Sequence, residues 1–309
     1  MNYLLLVAGF ILLIKGADYF VDGSASVAGK LRVPPLVIGL TVVAMGTSAP
    51  ECAVSVAASF KGDNAVAISN VIGSNIFNLM IVCGACAVIC PLAVKAKVLK
   101  QEFPLSVLAT LLLLGGGALG MEIGRLDGLV LLLVFLAFLV WVVRQALKSR
   151  EHENVAEEIK VQSGWLCLFY ILGGIAAIVL GGDLVVDSAT AIAEDFGLSQ
   201  TLIGLTIVAM GTSLPELVTS VVAARKGQVD MALGNVIGSN VFNIFLVLGL
   251  AGVISPMGVL MENLIDGIIL VGMSVIVWIF AWCRKEISRT EGMIMIAVYA
   301  AYMGYICIR

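Results

Sequence analysis

Charge is scarce in this chain. Of its 309 residues only 13% are Asp, Glu, Lys or Arg, about half the share of roughly 25% carried by soluble domains. Histidine occurs once, at His152. The residues that take their place are apolar, 61% of the total, with a mean hydropathy of +1.09. A water-soluble fold of this composition would expose Leu, Val, Ile and Ala over most of its surface. That excludes a cytosolic enzyme, a nucleic-acid binder and a disordered chain, and leaves an integral membrane protein. An arranged soft-metal site is missing as well. Cys83, Cys86 and Cys90 fall near one face of a helix, with no second cysteine pair or histidine to complete a zinc-type site, and read as buried small thiols. The net charge of −3 says little about partners; the expected surroundings are the lipid bilayer, with no nucleic acid and no obligatory protein partner.

Hydrophobic runs separated by polar or Gly/Pro breaks predict ten helices. Their approximate limits are 2–29, 34–60, 64–90, 99–119, 125–147, 164–194, 199–224, 230–254, 262–283 and 290–308. The opening stretch MNYLLLVAGFILLIKGADYF has no basic leader and meets Lys15 and Asp18 before any small-residue cleavage site. It reads as the first span and not as a removable signal. The expected fold class is an all-α polytopic membrane protein with ten transmembrane helices.

Lys and Arg set the orientation. With ten spans, fourteen of the 18 basic residues share one side: Lys30, Arg32, Lys95, Lys97, Lys100, Arg144, Lys148, Arg150, Lys160, Arg225, Lys226, Arg284, Lys285 and Arg289. Lys61, Arg125 and Arg309 lie on the other, and Lys15 lies within a span, where it either pairs with an aspartate or snorkels to the interface. The positive side is expected in the cytoplasm of a cell-membrane protein, with both termini outside. The most polar stretch, KSREHENVAEEIK at 148–160, reads as a solvated cytoplasmic connection that includes His152. The chain then divides into residues 1–147, a linker at 148–163, and residues 164–309.

The two parts are copies. Residues 39–84 run from GLTVVAMGTSAPE to SNVIGSNIFNLMIVCG, and residues 204–249 from GLTIVAMGTSLPE to GNVIGSNVFNIFLVLG. A constant shift of 165 aligns them without a gap, with 27 identities in 46 positions. The same shift carries Gly16, Asp18, Val21 and Asp22 onto Gly181, Asp183, Val186 and Asp187. Each part is one five-helix unit. Five is odd, so the second copy must enter the membrane from the opposite side. Two inverted five-helix repeats are a transporter plan, with discontinuous helices from both halves meeting at a midplane site.

The centre of each copy is polar. Glu51 and Glu216 sit deep in apolar segments, where an ionisable group is costly unless it faces protein, water or an ion. Pro50 and Pro215 remove an amide donor and crowd the carbonyls of Gly46 and Gly211, which should kink or unwind each helix and free backbone oxygens. Thr47, Ser48, Thr212 and Ser213 add hydroxyls at the same level. In the following helices Ser74 and Asn78 share a face four residues apart, as do Ser239 and Asn243. These are hard oxygen donors, suited to Na⁺, Ca²⁺ or Mg²⁺, and a dehydrated flexible cage favours Ca²⁺ over Mg²⁺. Ser, Thr and Asn also glue membrane helices together. That explains them singly, but not two duplicated glutamates beside proline breaks. Asp18 and Asp22, like Asp183 and Asp187, stack at i, i+4 and either line an ion vestibule or mark a helix end in water.

With GTSAPE and GSNIFN in one copy and GTSLPE and GSNVFN in the other, the chain resembles the cation/calcium exchanger superfamily, specifically its prokaryotic Na⁺/Ca²⁺ exchanger branch. The resemblance spans essentially the whole chain. It implies a transporter and no enzyme, with counter-transport of Na⁺ and Ca²⁺ through one alternately exposed site and no cofactor. It implies ion ligation by Thr47, Ser48, Glu51, Ser74 and Asn78 and by Thr212, Ser213, Glu216, Ser239 and Asn243, with backbone carbonyls near Ala44 and Ala209. Two departures stand out. Potassium-dependent relatives have aspartate where Asn243 stands, which argues against K⁺ co-transport. The linker is too short for the Ca²⁺-sensing domains of animal exchangers.

Charge counting predicts the stoichiometry. Glu51 and Glu216 supply −2, which one Ca²⁺ neutralises and three Na⁺ overfill by one. Electrogenic exchange near three Na⁺ per Ca²⁺ is expected, with the membrane potential favouring Ca²⁺ extrusion by about 2.3 kcal/mol per charge at 100 mV. The competing readings are a H⁺-coupled cation antiporter, since a buried glutamate can carry a proton, and a passive cation channel, which would need a continuous pore.

Overall fold

In lipid every backbone polar group must be satisfied within its own segment, so the uninterrupted apolar runs become long helices. The computed structural model describes residues 1–62, 64–149, 162–197, 207 and 209–308. Residues 150–161, with His152 and most of the expected linker, lie outside the described residues, as does 198–206 at the start of the seventh expected helix.

The first half contains α1 (Asn2–Leu31), α2 (Pro35–Ile38), α3 (Ala44–Thr47), α4 (Ala49–Lys61), α5 (Asn64–Phe77), α6 (Cys83–Ile89), α7 (Phe103–Gly120) and α8 (Arg125–Ser149). The second contains α9 (Gly164–Asp195), α10 (Ala209–Gly211), α11 (Leu214–Arg225), α12 (Val229–Phe242), α13 (Leu248–Ile254), α14 (Met261–Arg284) and α15 (Arg289–Ile308). Among the described residues eight helices are long and apolar enough to cross a membrane, or nine when the bent pair Pro35–Thr47 and Ala49–Lys61 is taken as one span. Ten were expected. The remaining expected span is the segment at 199–224, of which residues 207 and 209–224 are described.

Elements recur at the shift seen in the sequence. The π-helical turn Asn78–Val82 joins α5 to α6, and Asn243–Val247 joins α12 to α13. Four two-residue strands link the halves: β1 (Leu92–Ala93) pairs antiparallel with β4 (Glu286–Ile287), and β2 (Glu122–Ile123) with β3 (Met257–Gly258).

Burial divides the helices by role. The spans Val66–Ile89 and Val229–Ile254 have 72% and 78% of their most apolar stretch enclosed by protein, whereas the other spans have 17–44%. These two form the core, with Phe245, Met80, Ile76 and Leu248 fully packed. Outside them, α8 exposes Leu126, Leu129, Leu133, Leu136, Val140, Val143 and Leu147, spaced at three and four residues along one face. An apolar stripe turned away from the core needs lipid, not water, against it.

Small residues let α1 and α9 pack closely and antiparallel. A Cβ at Gly16 would lie 2.9 Å from the Gly174 carbonyl, and one at Gly181 would lie 2.8 Å from the Gly9 carbonyl and 2.7 Å from the Leu13 nitrogen. Close backbone approach through small residues is a principal source of helix association where lipid removes the hydrophobic driving force.

Candidate ion-binding centre

Both GTS-x-PE segments break their helices at the same place. α3 ends at Thr47, Ser48 takes φ −84° and ψ 10°, and α4 begins at Ala49 with Pro50 second. Pro50 has no N–H to donate back, so the helix restarts with a bend of 48°. In the other half α10 ends at Gly211, Ser213 takes φ −93° and ψ 6°, and α11 begins at Leu214 with Pro215 second. Each restart sets a glutamate in the first turn of the new helix, Glu51 in α4 and Glu216 in α11. The free N–H groups and positive dipole end there favour a carboxylate. Both glutamates are completely buried.

The serines at the breaks face across, not inward to their own helices. Ser48 and Ser213 occupy N-cap positions, yet neither hydroxyl caps its own helix. Ser48 Oγ donates to Glu216 Oε1 at 2.7 Å, and Ser213 Oγ donates to Glu51 Oε1 at 2.8 Å. One contact is thus made twice, once in each direction between the halves.

Asparagines hold the frame around them. Asn75 Nδ2 donates to the Asn240 carbonyl at 3.1 Å, and Asn240 Nδ2 to the Asn75 carbonyl at 3.3 Å. This pins the crossing of α5 and α12. Asn70 Nδ2 donates to Ser55 Oγ at 3.0 Å, and Asn235 Nδ2 to Ser220 Oγ at 2.9 Å, tying each broken helix to the one that follows. None of these six residues was singled out from the sequence. The available signal was their recurrence at the same shift inside the repeated segment.

The expected ligands divide into two groups. Glu51 Oε2, Ser74 Oγ, Asn78 Oδ1, Thr212 Oγ1, Glu216 Oε2 and Asn243 Oδ1 are buried oxygens with no hydrogen-bond partner. Orphaned polar atoms cost about 1–3 kcal/mol each, and a cation among them would remove that cost. The rest are engaged. Thr47 Oγ1 lies 3.1 Å from both the Val43 carbonyl and Asn235 Oδ1, and Ser239 Oγ lies 3.5 Å from Asn235 Oδ1. The Ala44 carbonyl accepts from Ser48 N at 3.0 Å and lies 3.4 Å from Thr47 Oγ1, and Ala209 opens α10. Among the described residues no group of three His, Cys, Asp or Glu side chains comes together. The formal charge of the centre is that of two carboxylates, and its other donors are neutral oxygens.

The four outlying aspartates differ. Asp18 and Asp22 are both held by Lys226, a residue that the sequence offered only as a topology marker. Asp183 and Asp187 are exposed, and so is Lys15.

A polar seam with two buried carboxylates, running through an apolar helical bundle, defines an integral membrane cation transporter and not an enzyme. The chain belongs to the sodium/calcium exchanger protein family, whose model matches residues 1–144 and 166–308. It is similar to the sodium/calcium exchanger MaX1 of Methanosarcina acetivorans, with 34% identity over 98% of this chain and 97% of that one. It is also similar to the inner membrane protein YrbG of Escherichia coli, with 38% identity over 82% of this chain and 79% of that one. Among solved structures, that of the sodium-calcium exchanger NCX_Mj soaked with zero Na⁺ and Ca²⁺ matches with a TM-score of 0.86 and 32% identity, covering 99% of this chain and 98% of the other.

Proposed function

We propose that the chain exchanges Na⁺ for Ca²⁺ by opening one buried oxygen cluster alternately to the two sides of the membrane. The ligands are Thr47, Ser48, Glu51, Ser74 and Asn78, their counterparts Thr212, Ser213, Glu216, Ser239 and Asn243, and the carbonyls of Ala44 and Ala209. The observation that carries this reading is the doubled serine–glutamate bond. Each carboxylate gives one oxygen to the serine of the other half and keeps the second free of any partner. Two negative charges are thereby held together, rigid and desolvated, by groups that cannot neutralise them. One Ca²⁺ does so, whereas about three Na⁺ leave one net positive charge, so exchange is electrogenic and the membrane potential drives Ca²⁺ outward.

Residues 1–147 and 164–309 act as inverted five-helix repeats, ten spans in all, with both termini outside and 148–163 in the cytoplasm. The strand pairs support this topology, since β1 and β4 join loops assigned to the cytoplasmic side and β2 and β3 join loops assigned to the outer side. The exchanger names of MaX1 and NCX_Mj are in keeping with it.

Proteoliposomes test the function directly. Vesicles loaded with Na⁺ and diluted into Na⁺-free buffer should accumulate Ca²⁺, and vesicles given only a proton gradient should not. Uptake that follows the proton gradient and ignores Na⁺ would replace this reading with H⁺ coupling.

A further inference from the structure

Lys226 follows the last residue of α11, and its ammonium is saturated. Nζ lies 2.6 Å from Asp18 Oδ1, 2.7 Å from Asp22 Oδ1 and 3.0 Å from the Asp18 carbonyl. A lysine has three N–H donors, and α1 takes all of them. Along the same stretch α1 packs directly on α11. The side chains remain 28% (Lys226), 40% (Asp18) and 44% (Asp22) exposed. This is a closure at the surface, able to open, and not a buried structural pair.

The 165-residue shift carries Lys226 onto Lys61, Asp18 onto Asp183 and Asp22 onto Asp187. All three counterparts are exposed, and no ion pair joins Lys61 to either aspartate among the described residues. Nor does α9 pack along α4 in the way that α1 packs along α11. The local chain does not explain the difference. A glycine with left-handed φ follows each lysine, Gly62 at 77° and Gly227 at 75°, so both lysines leave their helices in similar geometry. The same three residues are therefore joined at one end of the molecule and parted at the other.

We propose that the two triads are alternate latches of the transport cycle. Lys226 with Asp18 and Asp22 holds the cytoplasmic mouth shut in the conformation described, and Lys61 closes on Asp183 and Asp187 when the carrier faces inward. The inference rests on the inverted-repeat reading above. Each latch stabilises one state only, so their difference sets the resting bias of the carrier. Partly exposed ion pairs are weak, which makes each latch worth a population shift of about two- to fivefold. A much stronger one would trap the state it closes.

Cysteine pairs in the full-length protein, with the seven native cysteines replaced, test the proposal in proteoliposomes. The outer pair is Asp187→Cys with Lys61→Cys, and the inner pair is Asp22→Cys with Lys226→Cys. Na⁺-driven Ca²⁺ uptake is measured first in the same vesicles, and its absence would count against the exchanger reading, not the latch. In exchange-competent vesicles given copper–phenanthroline as oxidant, the outer pair should form a disulfide during turnover. Adding Lys226→Gln or Asp22→Asn should raise its rate about two- to fivefold, and Lys61→Gln should do the same for the inner pair. The charge swap Lys226→Asp with Asp22→Lys should return the outer rate toward its starting value, which a merely structural role for Lys226 does not require. An outer pair that never cross-links while exchange proceeds overturns the proposal, and so does an outer rate that Lys226→Gln leaves unchanged or lowers.

Discussion

Ser48 and Glu216 stand 168 residues apart in the chain and are joined by a hydrogen bond of 2.7 Å. The serine comes from the helix break of one half and the carboxylate from the break of the other, and Ser213 answers with Glu51 at 2.8 Å. Each glutamate thus takes its serine hydroxyl from the other half. The centre is a joint product of the two breaks.

The carboxylates are the first test. Glu51→Gln and Glu216→Gln keep size and shape while removing charge. Each should reduce Na⁺-driven Ca²⁺ uptake to the level of protein-free vesicles and abolish thermal stabilisation by Ca²⁺, with the elution volume of the purified protein unchanged. Normal uptake by either variant removes that glutamate from the site.

The serines should act as equals. A hydrogen bond to a charged group contributes about 1.5–3 kcal/mol, so Ser48→Ala and Ser213→Ala should each raise half-saturating Ca²⁺ by about ten- to hundredfold. Ca²⁺ titration of uptake measures this. If one substitution is silent and the other severe, the two halves do not share the site as described.

Asn243 tests selectivity. Its Nδ2 donates to Asn75 Oδ1 at 3.1 Å while its own Oδ1 has no partner. Asn243→Asp sets a carboxylate oxygen against that acceptor, and Asn75 cannot turn its amide without losing its bond to Asn240. An additional cation relieves the conflict. The variant should require higher Na⁺ or acquire a dependence on K⁺, read as uptake across a series of K⁺ concentrations. Unchanged ion preference would show that this position does not select ions.

Charge movement tests the stoichiometry. With vesicles clamped by K⁺ and valinomycin, an inside-negative potential of 100 mV should shift the Ca²⁺ equilibrium by about 2.3 kcal/mol for each net charge moved. Uptake indifferent to potential would mean two Na⁺ per Ca²⁺.

Packing of α1 on α9 should be intolerant at Gly181, where a Cβ meets backbone at 2.7 and 2.8 Å. Gly181→Val should cost at least about 1–3 kcal/mol by overpacking and lower the melting temperature or prevent purification. Gly115→Ala, with nothing within 4 Å of the added Cβ, should be neutral in the same thermal assay.

Much of this architecture could be read from residues alone, and the reason is locality. Pro50 and Pro215 act on the turn that contains them, so the helix breaks beside Glu51 and Glu216 follow from the motif. Long apolar runs become spans whatever their neighbours. What escaped was set by docking. The reciprocal bonds of Asn75 and Asn240 depend on the angle at which α5 crosses α12, and no spacing within either helix encodes that angle. Lys226 was legible as a positive charge at a membrane face, but its partners lie on α1 and are a property of one conformation. The π-helical turns after Asn78 and Asn243 were equally hidden, since a single inserted residue leaves the apolar pattern almost undisturbed.

The Asn75–Asn240 crossing has a property that the latch lysines lack: exchanging the two halves turns it into itself. A contact of that kind is the same before and after a carrier inverts, so it never has to break. Thr47 on Asn235 and Asn243 on Asn75 are different, because their mirror contacts, Thr212 on Asn70 and Asn78 on Asn240, are not made. An alternating machine needs both kinds, a fulcrum that stays put and one-sided contacts that trade places about it. Loosening Asn75 or Asn240 should therefore slow passage in both directions alike, whereas loosening a one-sided contact should favour one direction of opening over the other.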